Sequence, residues 1–166
     1  MDSTQAQLIQ PDRTRIISAW LIICLLLVVS MVVLGGYTRL SGSGLSITEW
    51  KPIHGSIPPL NEAEWQEEFE KYQQIPQYQQ INAGMNLEEF KAIFWPEFWH
   101  RNLGRLIGII FAMPLAYFYF RKQIAPKFAR RLLVIFALGG LQGLVGWIMV
   151  ASGLKDLLFV SHLKLA

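Results

Sequence analysis

The chain has 166 residues, of which 52% are hydrophobic and 16% are charged, and its mean hydropathy is +0.31. Average proteins carry about 25% charged residues, so this composition nearly excludes a water-soluble globular protein. The formal net charge of +3 is too small to suggest a nucleic-acid partner. The single cysteine, Cys24, cannot form an intrachain disulfide or a cysteine-based zinc or iron–sulfur site.

Long apolar segments predict an all-α integral membrane protein. Residues 16–36 and 132–153 contain no Asp, Glu, Lys or Arg, and about 20 apolar residues cross a bilayer. The fourth apolar segment along the chain begins near residue 157 and stops at Ala166 without an end signal. We therefore expect a fragment whose last helix continues. The predicted order is a tail at 1–15, spans at 16–36, 102–120 and 132–153, connections at 37–101 and 121–131, and a fourth span starting at 157–166. Together the spans predict a four-helix transmembrane bundle.

The basic residues predict the orientation of the bundle. The connector 121–131 has five Lys or Arg residues and no acid, and the amino-terminal tail adds Arg13 and Arg15. The positive-inside rule therefore places the tail and this connector in the cytoplasm and the segment 37–101 outside. The tail resembles neither a cleavable secretory signal nor a mitochondrial transit peptide. We therefore expect a multi-pass protein of a bacterial inner membrane.

The long outer loop is predicted to contain two short amphipathic helices, because loops of this length are rarely structureless. Asn61 can cap a helix with Glu64 three residues later, and Asn86 and Glu89 repeat the pattern. The apolar residues that follow each cap recur at helical spacing. The two helices either lie on the outer membrane surface or pack on the bundle.

Residues 96–105 are the most informative cluster for chemistry. Glu97 and His100 lie three residues apart, so a helix places them on one face. A histidine at the end of a membrane helix is either hydrogen-bonded at the interface or a ligand. If it is a ligand, haem iron is the metal that this cluster suits best. Gly104 continues the face, where it can favour helix packing or leave room for a flat macrocycle.

Three arginines and a second histidine complete the set of candidates. Arg101 and Arg105 can pair with the propionates of a haem or extend toward lipid headgroups. Arg39 is expected at the same outer level, just after the first span. His162 begins the fourth segment and is a candidate second ligand or gate residue, and spacing does not decide between these roles.

Several long motifs closely resemble those of the haem A synthase family, and the similarity covers nearly everything from Gly35 to Ala166. The segment GGYTRLSGSGLSITEWKP occupies 35–52, and the segment EFWHR with the following Gly104 and Arg105 occupies 97–105. The remaining matching motifs are PPLN at 58–61, GLQG at 140–143, GW at 146–147 and SGL at 152–154.

The resemblance implies an eight-helix membrane enzyme of two similar four-helix halves, which oxidises the C8 methyl of haem O to the formyl group of haem A for cytochrome oxidase. It implies that the amino-terminal half holds the substrate haem, and that a haem b cofactor lies in the carboxy-terminal half. His100 then becomes the iron ligand, and Glu97 becomes the catalytic acidic group near the reacting methyl. The second ligand of this half is expected just past Ala166 rather than at His162.

Two further points follow from the resemblance. The first outer loop has no cysteine pair, so the sequence is similar to the proteobacterial and mitochondrial branch of the family. Implied partners are the lipid bilayer, haem O, the haem O synthase that supplies it and the cytochrome oxidase assembly machinery, while a homo-oligomer stays open.

Two other classes of function remain as alternatives. One is an electron-transfer subunit with a permanent haem b and no substrate chemistry. The other is a structural or assembly protein whose His and Arg residues are interfacial anchors. A buried carboxylate beside the ligand favours the enzyme over the electron carrier, and haem content separates both from the structural protein.

Overall fold

The computed structural model describes residues 11–49 and 54–153, and every regular element in those residues is helical. Three of the described helices are long and apolar enough to cross a membrane. The predicted start of the fourth span and His162 lie outside the described residues. The helices are α1 (Pro11–Leu40), α2 (Glu62–Gln73), α3 (Pro76–Gln80), α4 (Leu87–Phe120) and α5 (Pro126–Gly153), with a 3₁₀ turn at His54–Ser56.

The first helix, α1, ends in a glycine cap. Gly42 has a φ of 69°, a left-handed conformation that favours glycine. The N–H of Ser43 donates to the Thr38 carbonyl at 3.0 Å, and the N–H of Gly42 donates to the Arg39 carbonyl at 3.3 Å. These two bonds form a Schellman motif. The motif turns the chain sharply into the segment 43–49.

The fourth helix, α4, is one continuous helix of 34 residues. Its start is the predicted capping box, in which Asn86 and Glu89 each bind the other's backbone N–H. The sequence suggested a short helix followed by a span beginning near residue 102, but α4 passes through Pro96 without a break. At about 1.5 Å per residue it is about 51 Å long, against about 30 Å for a bilayer core. One end of α4 therefore projects beyond the membrane.

The projecting part of α4 carries a small domain, which we call the cap. The α2 helix begins after Asn61, its predicted N-cap residue, whose side chain accepts a hydrogen bond from the N–H of Glu64 at 3.0 Å. The most deeply buried residues of the cap are Tyr72 and Phe90, whose side chains are fully buried. Burial raises the pKa of Tyr72, so its hydroxyl stays protonated. The buried cap core consists of Leu45, Ile47, Trp65, Phe69, Tyr72, Ile75, Phe90, Phe94 and Phe98.

A second apolar core holds α1, α4 and α5 together, and we call these three helices the bundle. Trp20 of α1 packs against Phe111 and Phe118 of α4. Its indole N–H donates to the Ile110 carbonyl at 2.8 Å. That carbonyl lacks its usual helical donor because Pro114, four residues on, has no N–H. The indole N–H therefore replaces the backbone donor that Pro114 cannot supply to the Ile110 carbonyl.

The bundle helices are antiparallel neighbours, which sets where the basic residues lie. Contact between Trp20 and Phe118 places the start of α1 beside the end of α4. Arg13 and Arg15 are therefore at the same end of the bundle as the connector 121–131. The connector's basic residues are all exposed: Arg121, Lys122, Lys127, Arg130 and Arg131.

Candidate functional site

The candidate residues lie on α4 where the cap meets the bundle. Residues 97–105 cover a little over two helical turns, and they face the end of α1 and the segment 43–49. The structure thus brings together Glu97, His100, Arg101 and Gly104 along one short stretch. Thr38, in the last turns of α1, ties the two helices here, since its hydroxyl lies 3.3 Å from the Pro96 carbonyl.

His100 is half-buried between α1 and α4. Its imidazole lies against the backbone of Gly35, where a Cβ would sit 3.0 Å from Nε2. Within the described part of the chain, no hydrogen bond to either ring nitrogen is found. The ring is half-buried and no described residue holds it by a hydrogen bond, so the imidazole is a candidate ligand.

Glu97 is 3% exposed, and both of its carboxylate oxygens are engaged by the protein. Oε2 accepts from the Ser46 hydroxyl at 2.7 Å and from the Ile47 N–H at 2.9 Å. Oε1 accepts from Arg101 Nη2 at 2.6 Å and Nε at 3.1 Å. Four hydrogen bonds, two of them from Arg101, therefore hold this carboxylate in place. We call this group of Glu97, Arg101, Ser46 and Ile47 the clamp.

Arg101 binds backbone as well as the carboxylate of the clamp. Nη2 donates to the Ile47 carbonyl at 2.7 Å, and Nη1 donates to the Glu49 carbonyl at 3.3 Å. The Arg101 and Glu97 side chains are only 8% and 3% exposed. The guanidinium is therefore committed to holding the segment 43–49 against α4. The sequence instead predicts a propionate or a lipid headgroup as the partner of Arg101.

The other predicted residues flank this clamp. Arg105 donates from Nη1 to the Gly55 carbonyl at 3.2 Å and to Asn102 Oδ1 at 3.0 Å. Arg39 is exposed on the last turn of α1. The bare surface of Gly104 faces Met31 of α1, whose Cε would be 3.3 Å from a Cβ at that position. The neighbouring helix therefore uses this bare surface, which is one of the two roles that the sequence predicts for Gly104.

Several residues at the site were not singled out individually from the sequence. Ser46 and Ile47 belong to the segment 35–52, whose motif carries the family resemblance. Their role depends on a turn back to Glu97, which lies 50 or more residues later in the chain. Gly35 is one of two adjacent glycines in an apolar span, a pattern that usually indicates helix packing. The signal in the sequence for the clamp is the polar segment 43–49, which lies between the first span and Pro52.

The residues present suit a haem better than a bare metal ion. Among the residues that the structure describes, no three His, Cys, Asp or Glu side chains come together. A porphyrin brings four nitrogens of its own, so the protein needs to supply only axial ligands. One sheltered imidazole without a hydrogen-bond partner meets that need, and His100 is such a group.

Helical spans, a cap and a sheltered imidazole define a multi-pass membrane protein with a candidate haem site. The sequence profile of the COX15-CtaA family, described as cytochrome oxidase assembly protein, matches residues 18–166. The chain therefore belongs to this family.

Curated relatives agree with that assignment. The Heme A synthase of Nitrosomonas eutropha is 58% identical over 149 residues, which cover 90% of this chain and 42% of the relative. The Heme A synthase of Brucella anthropi is 56% identical over 92% of this chain and 43% of its own length. That of Rhodopseudomonas palustris is 54% identical over 98% of this chain and 45% of its own length. The chain thus spans less than half the length of these relatives. No solved structure gives a significant match.

Proposed function

We propose that the protein to which this chain belongs converts haem O to haem A by oxidising the C8 methyl to a formyl group. The observation that carries the proposal is His100, a sheltered imidazole without a hydrogen-bond partner among the described residues. Relatives more than half identical over nine-tenths of the chain bear the name Heme A synthase, which supports the same reaction. In this proposal the chain supplies the part of the enzyme that binds the substrate haem.

His100 is proposed as the residue of this chain that would hold the haem through its iron. Iron and porphyrin supply the redox chemistry, and this chain's residues hold the ring and exclude water. The second ligand of this half is proposed to lie beyond the described residues. A haem b cofactor in the remainder of the protein is proposed from the resemblance.

The propionates of the haem are proposed to pair with Arg105 and Arg39 rather than with Arg101. Arg101 already donates to the Glu97 carboxylate and two backbone carbonyls. Moving it to a propionate would leave a buried carboxylate without its cation, which commonly costs about 3–5 kcal/mol. Arg39 lies in the last turn of α1 and Arg105 lies five residues after His100 on α4, and a propionate edge is proposed to meet them there.

Glu97 is proposed as a positioning residue that acts through the clamp. The family resemblance implies a catalytic role for Glu97 beside the reacting methyl. Its two oxygens are instead engaged by four donors, which favours a structural role over direct contact with the reacting methyl. Because the clamp gives the buried carboxylate a use in any haem protein, Glu97 no longer discriminates the enzyme from an electron carrier.

The cap is proposed to lie outside a bacterial inner membrane, with the amino terminus in the cytoplasm. Exposed basic residues at one end of the bundle, which include Arg13 and Arg15, support this orientation. Proposed partners are the bilayer, the haem O synthase that supplies the substrate, and the cytochrome oxidase assembly machinery. A cysteine at exposed Gln74 should react with an impermeant thiol reagent added outside, and a cysteine at exposed Lys127 should not. The opposite pattern would reverse the topology.

The reaction is tested by pigment analysis of the complete protein purified from a host that makes haem O but no haem A. We expect haem A in the extract, and we expect His100→Ala to abolish it together with one bound haem. Tyr117→Ala is a matched control, because Tyr117 is exposed near the other end of α4. Finding only unmodified haem would support the electron-carrier alternative. Finding no haem in the wild-type protein would support the structural alternative.

A further inference from the structure

Two reciprocal contacts join α1 and α4 beside the proposed haem site. His100 of α4 lies against Gly35 of α1, and Met31 of α1 lies against Gly104 of α4. Met31 and Gly35 are four residues apart on α1. His100 and Gly104 are four residues apart on α4, and the two helices run antiparallel. Each helix therefore places one larger side chain over the other's glycine. Close approach of this kind requires small residues at the contact.

The two contacts differ in how much room they leave. A Cβ on Gly35 would lie 3.0 Å from Nε2 and 3.4 Å from Cδ2 of His100. A Cβ on Gly104 would meet only the terminal methyl of Met31, at 3.3 Å. Methionine has three flexible torsions and adapts readily. The imidazole is a rigid ring with two torsions, so displacing it moves the ligating nitrogen.

We propose that Gly35 is a positioning residue for the iron ligand, because the missing side chain at this position sets where the His100 imidazole can lie. The inference rests on the proposed role of His100 as an axial ligand. Glycine is otherwise a poor choice in a helix, where alanine is the better former. Gly35→Ala should therefore strengthen the isolated helix, so a loss of haem binding would report the contact with the ring.

The adjacent glycine provides a matched control. No atom lies within 4 Å of a Cβ built on Gly36, so Gly36→Ala has the same effect on helix propensity without the contact. The test measures the complete protein, purified from membranes with its haem. Three readouts are compared: haem per protein, the electron paramagnetic resonance spectrum of the ferric low-spin haem, and the midpoint of thermal unfolding.

We expect Gly36→Ala to match the wild type in haem per protein and in the resonance spectrum, with a midpoint of thermal unfolding no lower than that of the wild type. Gly35→Ala should insert normally but should shift the resonance spectrum of the haem that His100→Ala removes. The variant should also bind that haem about tenfold more weakly, because disturbing a group that orients a metal ligand usually has an effect of this size. Gly104→Ala should leave the spectrum unchanged, because Met31 can move aside. A change common to Gly35→Ala and Gly104→Ala would instead indicate general separation of the helices and would overturn the proposal.

The outcomes separate this inference from the proposed function. If His100→Ala loses a haem and Gly35→Ala keeps the wild-type spectrum and occupancy, positioning by Gly35 is wrong while the ligand assignment stands. If His100→Ala keeps every haem, both fail. Should Gly35→Ala not fold, the double variant Gly35→Ala/His100→Ala decides, because truncating the ring removes the clash. Recovery of folding in the double variant supports the contact, and continued failure overturns it.

Discussion

The cap and the bundle share the helix α4 but are packed in opposite ways. In the cap, aromatic side chains converge on a buried centre, with Tyr72 and Phe90 at 0% exposure. In the bundle, α1 and α5 expose most of their apolar surface, and Val32 and Val33 are each 69% exposed. A water-facing domain hides its apolar groups, while a membrane helix needs no such cover. One continuous helix therefore passes from an aqueous environment into an apolar one.

The difference explains why the chemistry lies where it does. Buried polar groups cost free energy unless they are paired, and the cap supplies that pairing through Glu97 and Arg101. The bundle supplies small residues, such as Gly35, that let helices approach. His100 lies at this boundary, three residues after Glu97 of the clamp and beside Gly35 of α1. Substitutions on either side should therefore affect it differently.

The largest contrast is expected between Phe90→Ala in the cap and Val33→Ala in the bundle. Truncating a fully buried phenylalanine commonly costs about 3–5 kcal/mol, because it removes apolar contacts and leaves a cavity. Val33 is exposed, so its truncation should change stability by less than about 0.5 kcal/mol. Chemical unfolding in detergent, followed by tryptophan fluorescence, measures both. Equal effects would contradict the difference in packing.

Glu97→Gln is the next most severe change. The amide nitrogen of glutamine must face either Arg101 or the pair of donors from Ser46 and Ile47, so two donors oppose each other. Losing one partner of a buried ion pair should destabilise the cap by about 3 kcal/mol. Limited proteolysis of the segment 43–49 should become faster, and haem binding should weaken with it.

Glu97→Gln also separates the clamp from a direct catalytic role. If Glu97 acted on the substrate itself, the variant would keep its stability and its haem but would make little haem A. Arg101→Gln is the control, since it disrupts the same clamp without changing the carboxylate. Similar losses of stability in both variants support the clamp, and a loss of product in Glu97→Gln alone contradicts it.

The sequence predicts local features of this structure better than long-range ones. Both Asn caps follow from side chains three residues apart, and the three long apolar helices follow from runs of apolar residues. The continuity of α4 could not be predicted, because Pro96 and a change of polarity favour a break, and packing of Phe90, Phe94 and Phe98 outweighs them. The clamp could not be predicted either, because it joins residues about 50 positions apart.

Trp20→Phe is expected to have a moderate effect, confined to the bundle. Phenylalanine keeps ring contacts with Phe111 and Phe118 but cannot donate to the Ile110 carbonyl, which Pro114 leaves without a helical donor. An unsatisfied buried carbonyl costs about 1–3 kcal/mol. Trp147→Phe on α5 is the control, because Trp147 is 41% exposed. A midpoint of thermal unfolding unchanged from the wild type would show that the indole bond contributes nothing.

The smallest effect is expected at Lys71, which ties α2 to the segment 43–49 from the cap surface. Burial disfavours its charged form, but hydrogen bonds to Glu67, Glu68 and Glu49 outweigh that penalty and raise the pKa of Lys71. Because the folded-state pKa is above the unfolded one, the contribution is complete below about pH 10 and is lost only as pH rises further. Partly exposed pairs of this kind are worth about 0.2–1 kcal/mol, so Lys71→Gln should lower stability by no more than that.

The loss should shrink in about 1 M salt, where the Debye length falls to about 3 Å, whereas the loss in Glu97→Gln should persist because that pair is buried. Stability curves for both variants at low and high salt make the comparison. Equal salt dependence would mean that Glu97 and Arg101 are as hydrated as Lys71, and the clamp would no longer explain how the cap holds α4 beside His100.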